Sequence, residues 1–169
     1  MIKTQMAAVL TAVLAMAASA CSATEARPAV GATAALACAG GTVRNDDDAA
    51  RFEGCESVAG DLHITQSDLI DVAAFRDLRR VSGKLVVEDN PKLVSLAGLN
   101  RVEHAQAVEI RNNRVLAAFP ALLPQLKRVD QNVVLDANRG LSRHQVSALL
   151  ERLQNTRPLT TNDSVATLN

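Results

Sequence analysis

Three cysteines, Cys21, Cys38 and Cys55, carry the most specific chemistry in this chain of 169 residues. An oxidising compartment keeps thiols paired, so an odd count asks that one of them be used otherwise. If Cys21 is lipidated, Cys38 and Cys55 remain as a matched pair, 17 residues apart. A bridge closing that loop contributes roughly 3 kcal/mol in the chain-entropy picture. The acidic run Asp46-Asp47-Asp48, with Glu53, has oxygen atoms suited to calcium. It lacks the spaced donors and turn glycine of an EF-hand loop and reads as a solvated charge run. His63, His104 and His144 are scattered without metal-ligand spacing. No G-x-S-x-G, H-E-x-x-H or phosphate-loop motif occurs. No catalytic residue, metal or cofactor is nominated, and the expectation is a protein that is not an enzyme.

The elements that must position these residues are written as a repeat. Four triplets with apolar ends, each led by a Val, recur: Leu62-His63-Ile64, Leu85-Val86-Val87, Val108-Glu109-Ile110 and Val133-Val134-Leu135. Their first members are 23, 23 and 25 residues apart. Five residues after each first member comes Ser67, Asn90, Asn113 or Asn138, and Leu69, Leu93, Leu116 and Leu141 follow. Self-similarity at such a period marks stacked supersecondary units. Each triplet reads as a short strand with its aliphatic ends inward, and successive strands would stack in parallel about 4.8 Å apart. The Asn/Ser positions fall where the chain must turn. An inward Asn there can hydrogen-bond the backbone of neighbouring repeats, a structural role.

The outward residues form three rows: Asp61, Lys84, Ala107, Asn132; His63, Val86, Glu109, Val134; and Thr65, Glu88, Arg111, Asp136. Arg111 lies between Glu88 and Asp136, so pairing across the strands is expected. The candidate binding face is therefore His63, Thr65, Lys84, Glu88, Glu109, Arg111 and Asp136. It serves as a polar docking platform on one reading. On the other it is a solvated sheet with ion pairs worth ~0–1 kcal/mol each, which the lack of an aromatic anchor favours.

Between the strands, Leu69, Val72, Phe75, Leu78 and Val81 fall three apart, as do Leu93, Leu96, Leu99 and Val102. That step suits a tight 3₁₀-like return. The third repeat departs from pattern, with Ala105-Gln106-Ala107 displacing the strand by two residues relative to Val102. Pro120 and Pro124 announce an irregular fourth return. Ser142-Arg143-His144-Gln145 is a capping-box pattern, and Val146, Leu149, Leu150 and Leu153 follow at helical spacing. A helix over 142–154 laid on the last repeat would close that end. The segment bridged by Cys38 and Cys55 would cover the first, since stacked repeats need terminal caps.

At the N-terminus, Lys3, the apolar run Met6 to Ala17 and Ala18-Ser19-Ala20 predict a signal peptide over 1–20. The run is short for a membrane-spanning helix, which needs about 20 apolar residues. Ala18-Ser19-Ala20-Cys21 resembles a bacterial lipobox, with Ala18 where Leu is usual. It also fits an ordinary A-x-A cleavage site. Cysteine parity favours lipidation of Cys21, whose acyl chains, at about 0.8 kcal/mol per buried methylene, would hold the protein on a membrane. Residues 21–37, rich in Ala, Thr and Pro, read as a tether, and 155–169 as a polar tail.

The phrase Val58-Ala-Gly60-Asp-Leu62-His-Ile64, its echo Val81-Ser-Gly83-Lys-Leu85-Val-Val87, and Asn90-Pro-Lys-Leu93-Val-Ser-Leu96-Ala-Gly98-Leu99 resemble the receptor L domain family. These are the ligand-binding lobes of insulin- and epidermal-growth-factor-type receptors, with relatives on microbial surfaces. Cys38 and Cys55 also look like that family's N-terminal bridge. The resemblance implies a mainly β fold over 38–154: a short right-handed parallel β-solenoid of about four leucine-rich-repeat-like rungs, with a disulfide-bridged N-cap and a C-terminal capping helix. The family's ligand contacts lie on variable surface residues and do not transfer.

Composition narrows the function. Lys plus Arg and Asp plus Glu balance at 18 each, so there is no electrostatic footprint for nucleic acid. Three Phe, no Trp and no Tyr leave no base-stacking platform. The expectation is a lipid-anchored extracytoplasmic recognition or adhesion module on the outer membrane or cell surface, binding a protein or glycan. A soluble periplasmic or secreted form follows if Cys21 is not acylated. The alternative is a structural envelope lipoprotein without a discrete ligand site, and a hydrolase comes last.

Overall fold

The computed structural model describes residues 36–117, 121–156 and 164–165. The expected signal peptide, Cys21, the tether up to residue 35, Pro120 and most of the expected tail lie outside the described residues. The architecture is mainly β. Parallel strands β1 (Ala37–Val43), β2 (Ser57–Thr65), β3 (Arg80–Glu88), β4 (His104–Arg111), β5 (Arg128–Val129), β6 (Val133–Asp136) and β7 (Ser164–Val165) form one sheet. Their order is β1-β2-β3-β4-β6-β7, with β5 pairing β4. Among the described residues two α-helices accompany them, α1 (Asp46–Ala50) and α2 (Arg143–Thr156).

The repeat sets the register. Leu62 pairs with Leu85, Leu85 with Val108 and Val108 with Val133. One alternation further on, Ile64, Val87, Ile110 and Leu135 align in the same way. All eight side chains are buried. The strands are longer than the triplets. They start upstream at Ser57, Arg80 and His104, where Val58, Val81 and Ala105 are in register. The residue that leads into β4 is thus Ala105, and Val102 belongs to the return: its N–H bonds the Leu99 carbonyl (3.1 Å) as that of Leu78 bonds Phe75 (2.9 Å). The offset expected in the third repeat is a register shift between Val81 and Lys84, where β4 spends one residue fewer than β3. In β2 the same place is held by Gly60 at φ +101, backbone that side-chain-bearing residues rarely adopt.

The returns are 3₁₀ turns, Ala73–Phe75 and Ala97–Leu99, as the three-residue step predicts. Leu69, Val72, Phe75 and Leu78 with Leu93, Leu96, Leu99 and Val102 complete the core against the strands. The two returns touch. A Cβ on Gly98 would lie 1.6 Å from the Val72 carbonyl oxygen.

The turn after each strand is held from inside. Asn90 Oδ1 accepts from Ser67 N (2.9 Å), Asn113 Oδ1 from Asn90 N (3.1 Å) and Asn138 Oδ1 from Asn113 N (3.1 Å). The amide nitrogens reach back to the preceding strand: Asn90 to Ile64 O (2.8 Å), Asn113 to Val87 O (2.9 Å) and Asn138 to Ile110 O (2.6 Å). Backbone groups that a buried bend would orphan are thereby paired. Ser67, at the end of this ladder, has a buried Oγ without a hydrogen-bond partner among the described residues. Just before each ladder residue sits a left-handed one: Gln66, Asp89, Asn112 and Ala137, at φ 50, 56, 50 and 53.

At the N-terminal end a Cys38–Cys55 disulfide spans a Cα separation of 5.9 Å. Within the bridged segment Asn45 caps α1, its side chain accepting from Asp48 N (2.8 Å). The acidic run is therefore the first turn of a helix, where negative charge suits the helix dipole. Ala49, Phe52 and Cys55 are buried, with the Phe52 ring tilted against Phe75 at a centroid distance of 5.4 Å. The bridged segment also adds a strand that sequence reading missed. β1 begins at Ala37, inside the expected tether, and pairs with β2.

At the other end Ser142 and Gln145 form the reciprocal capping box, with bonds of 3.0 and 3.2 Å. Helix α2 buries Val146, Leu149 and Leu153. Within the segment expected as a polar tail, Ser164–Val165 pair with Val133 and Val134 as β7. A sheet edge offers unpaired backbone groups, and even a polar segment can satisfy them.

Candidate interaction surface

On the outward face the strands bring the expected rows into register. Thr65 pairs with Glu88, Glu88 with Arg111 and Arg111 with Asp136; His63, Val86, Glu109 and Val134 align beside them. Lys84 aligns with Ala107, and the Asp61 carboxylate accepts from Lys84 N at 2.8 Å.

The ion pairing differs from expectation. Arg111 Nη2 meets Glu109 Oε2 at 3.1 Å, on its own strand, rather than Glu88 or Asp136. Lys84 Nζ approaches the other oxygen, Glu109 Oε1, at 3.8 Å. The reason is burial. Glu109 is only 16 % exposed, and a desolvated carboxylate needs counter-charge. One carboxylate thus joins two cations across two strands. Around this cluster the face is more closed than a solvated platform: Val86 is 6 %, Val134 9 % and Ala107 0 % exposed. Arg111 Nε is buried without a hydrogen-bond partner among the described residues. His63, Thr65, Glu88 and Asp136 are half-buried around it, with His63 Nε2 3.9 Å from Asp61 Oδ2.

A second polar cluster, at the strand starts, escaped sequence reading. Glu103 takes Lys127 Nζ at 3.0 Å and Arg79 Nη1 at 3.3 Å. Lys127 first, then Arg79, holds its carboxyl below the usual range. One residue on, His104 Nε2 lies 2.9 Å from Asp130 Oδ2, whose other oxygen takes Arg128 Nε at 2.7 Å. Hydrogen bonds from Arg128 and then His104 lower the Asp130 carboxyl. The signal was present as a spacing of 24 residues from Arg79 to Glu103 and from Glu103 to Lys127.

His63 and His104 face carboxylates rather than a nucleophile. Among the described residues no group of three or more His, Cys, Asp or Glu could hold a metal ion. Hollows at Asp46, Asp68, Ile70 and Asp71 (≈ 250 Å³) and at Asp89, Pro91, Asn112 and Arg114 (≈ 200 Å³) fall below the ~300 Å³ of ordinary small-ligand pockets. Compared with known proteins, the chain matches no family model, no curated protein and no solved structure.

Proposed function

We propose that this chain is a short right-handed β-solenoid of about four leucine-rich-repeat-like rungs, of the receptor L domain kind, serving as a lipid-anchored, non-catalytic recognition module of the cell envelope. The observation that carries the reading is the joined Lys84–Glu109–Arg111 cluster, set between Val86 and Val134 on the outward sheet face. Polar groups held in fixed positions beside apolar ones are what a protein or glycan ligand is recognised by. The buried Asn ladder beneath supplies the rigidity that limits the ordering cost of binding. In-register stacking of equivalent residues at 23–25-residue steps supports the solenoid reading. The Cys38–Cys55 bridge supports the anchor, because it leaves Cys21 as the remaining cysteine behind Ala18-Ser19-Ala20.

Two measurements on the exported protein test this. Intact mass should start at Cys21 with added acyl chains and show no alkylatable thiol before reduction. Saturable retention on purified envelope material should weaken about ten-fold in Lys84→Ala/Arg111→Ala, the loss of roughly 1.4 kcal/mol of contact energy. Retention unchanged by the double variant would sink the recognition face and leave a structural envelope protein. An unacylated mass would remove the anchor.

A further inference from the structure

Among the described residues the sheet ends at β7 on one side and at β1 on the other. Beyond β6 the chain supplies β7 and α2. At the opposite end β1 pairs with β2 and, among the described residues, with nothing else. The disulfide-bridged segment covers the core beneath this end with Ala49, Phe52 and Cys55, but among the described residues no strand pairs with the outer edge of β1.

Backbone alternation says which groups are left over. The Leu36 carbonyl accepts from Glu56 N (2.9 Å) and Ser57 N (3.1 Å), so it faces β2. The N–H and C=O groups of Ala37 and Ala39 then face away from β2. Further along, the Thr42 carbonyl is met by Arg51 Nη2 at 3.4 Å. Ala37, Ala39 and Thr42 are exposed, and Gly40 and Gly41 carry no side chain to hold a partner off. Exposed edges are ordinarily blunted by charge, proline or a bulge; Ala37–Val43 has neither charge nor proline, and its register shifts between Ala39 and Gly41.

We infer that this edge is a self-association surface, where β1 of a second copy pairs antiparallel with β1 about a twofold axis to continue the sheet across two molecules. Charge placement selects the copy as occupant. Arg44 follows the C-terminal end of β1, and Glu56 lies beside its N-terminal end at Leu36. Neither side chain has an ion-pair partner among the described residues. Antiparallel pairing sets Arg44 of each copy against the other copy's Glu56, twice per dimer, while the strand between is uncharged. It also covers Leu36, which is 55 % exposed. A twofold contact of this kind is isologous and closes at two copies, so no fibre follows.

The test is sedimentation equilibrium of the full chain in density-matched detergent, over a concentration series, with four variants. The wild type is expected as a concentration-dependent dimer. Arg44→Glu and Glu56→Arg should each weaken it about ten-fold, and the double exchange should restore it. Ala39→Pro, which removes an outward-facing N–H, should give a monomer with an unchanged far-UV spectrum. The amides of Ala37 and Ala39 should exchange with deuterium more slowly as concentration rises. A wild type that stays monomeric at every concentration overturns the inference. So does a dimer indifferent to the charge exchanges.

Discussion

Truncating Asn113 isolates the ladder that holds the turns together. The side chain is fully buried and serves both neighbouring repeats. Its Oδ1 accepts from Asn90 N and Asn90 Nδ2, each at 3.1 Å. Its Nδ2 donates to Val87 O at 2.9 Å and to Asn138 Oδ1 at 3.2 Å. Asn113→Ala therefore orphans one buried N–H and one buried carbonyl, where water cannot substitute. At roughly 1–3 kcal/mol per unsatisfied group, the expected cost is about 4 kcal/mol. That is a large share of the ~5–15 kcal/mol typical of a folded domain. Ser67→Ala is the internal control. Ser67 Oγ already lacks a partner, and Ser67 N would still reach Asn90 Oδ1, so the change should stay within about 1 kcal/mol. With no Trp or Tyr to report, urea unfolding is followed by far-UV circular dichroism. Equal costs for the two variants, or a cost for Asn113→Ala below about 1 kcal/mol, would refute the reasoning.

Other consequences are checked by the same unfolding curves. Gly98→Ala places a Cβ 1.6 Å from Val72 O and should cost about 3 kcal/mol, since backbone on both sides must give way. Ala137, held at φ +53, should be relieved by Ala137→Asn, which tolerates that region; a gain of about 0.5–1 kcal/mol is expected, and a loss would show the strain argument wrong. Asp130 has its folded pKa depressed by Arg128 and His104, so its stabilisation is present above the unfolded value, about 3.9, and is lost as pH falls through the lower folded value. Asp130→Asn should flatten the acid limb of stability against pH by no more than ~1 kcal/mol, because Arg128, the leading partner, is 64 % exposed. An unchanged acid limb would remove that pair from the account.

Much of this molecule was written locally. Period-two alternation about Leu62, Leu85, Val108 and Val133 was enough to say which side chains go inward, since successive residues of a strand take opposite faces. Spacings of 23 and 25 residues were enough to place Asn90, Asn113 and Asn138 over one another, because a repeat that returns in register stacks like residues. The capping box at Ser142 and Gln145 was legible because its two bonds span only three residues.

Tertiary structure decided what depends on competition between partners or on a vacant edge. Arg111 had carboxylates beside it on three strands, and it took Glu109, whose side chain is only 16 % exposed, a property no residue list contains. Ala37–Val43 and Ser164–Val165 carry weak strand patterns of their own. They became strands because the sheet offered each an edge whose backbone groups lacked partners. The column of Arg79, Glu103 and Lys127 needed the returns to be folded before residues 24 apart became neighbours. Composition and alternation thus determined the inside of this protein by themselves. The outer contacts were settled by burial and edge pairing, which exist only once the chain has closed on itself.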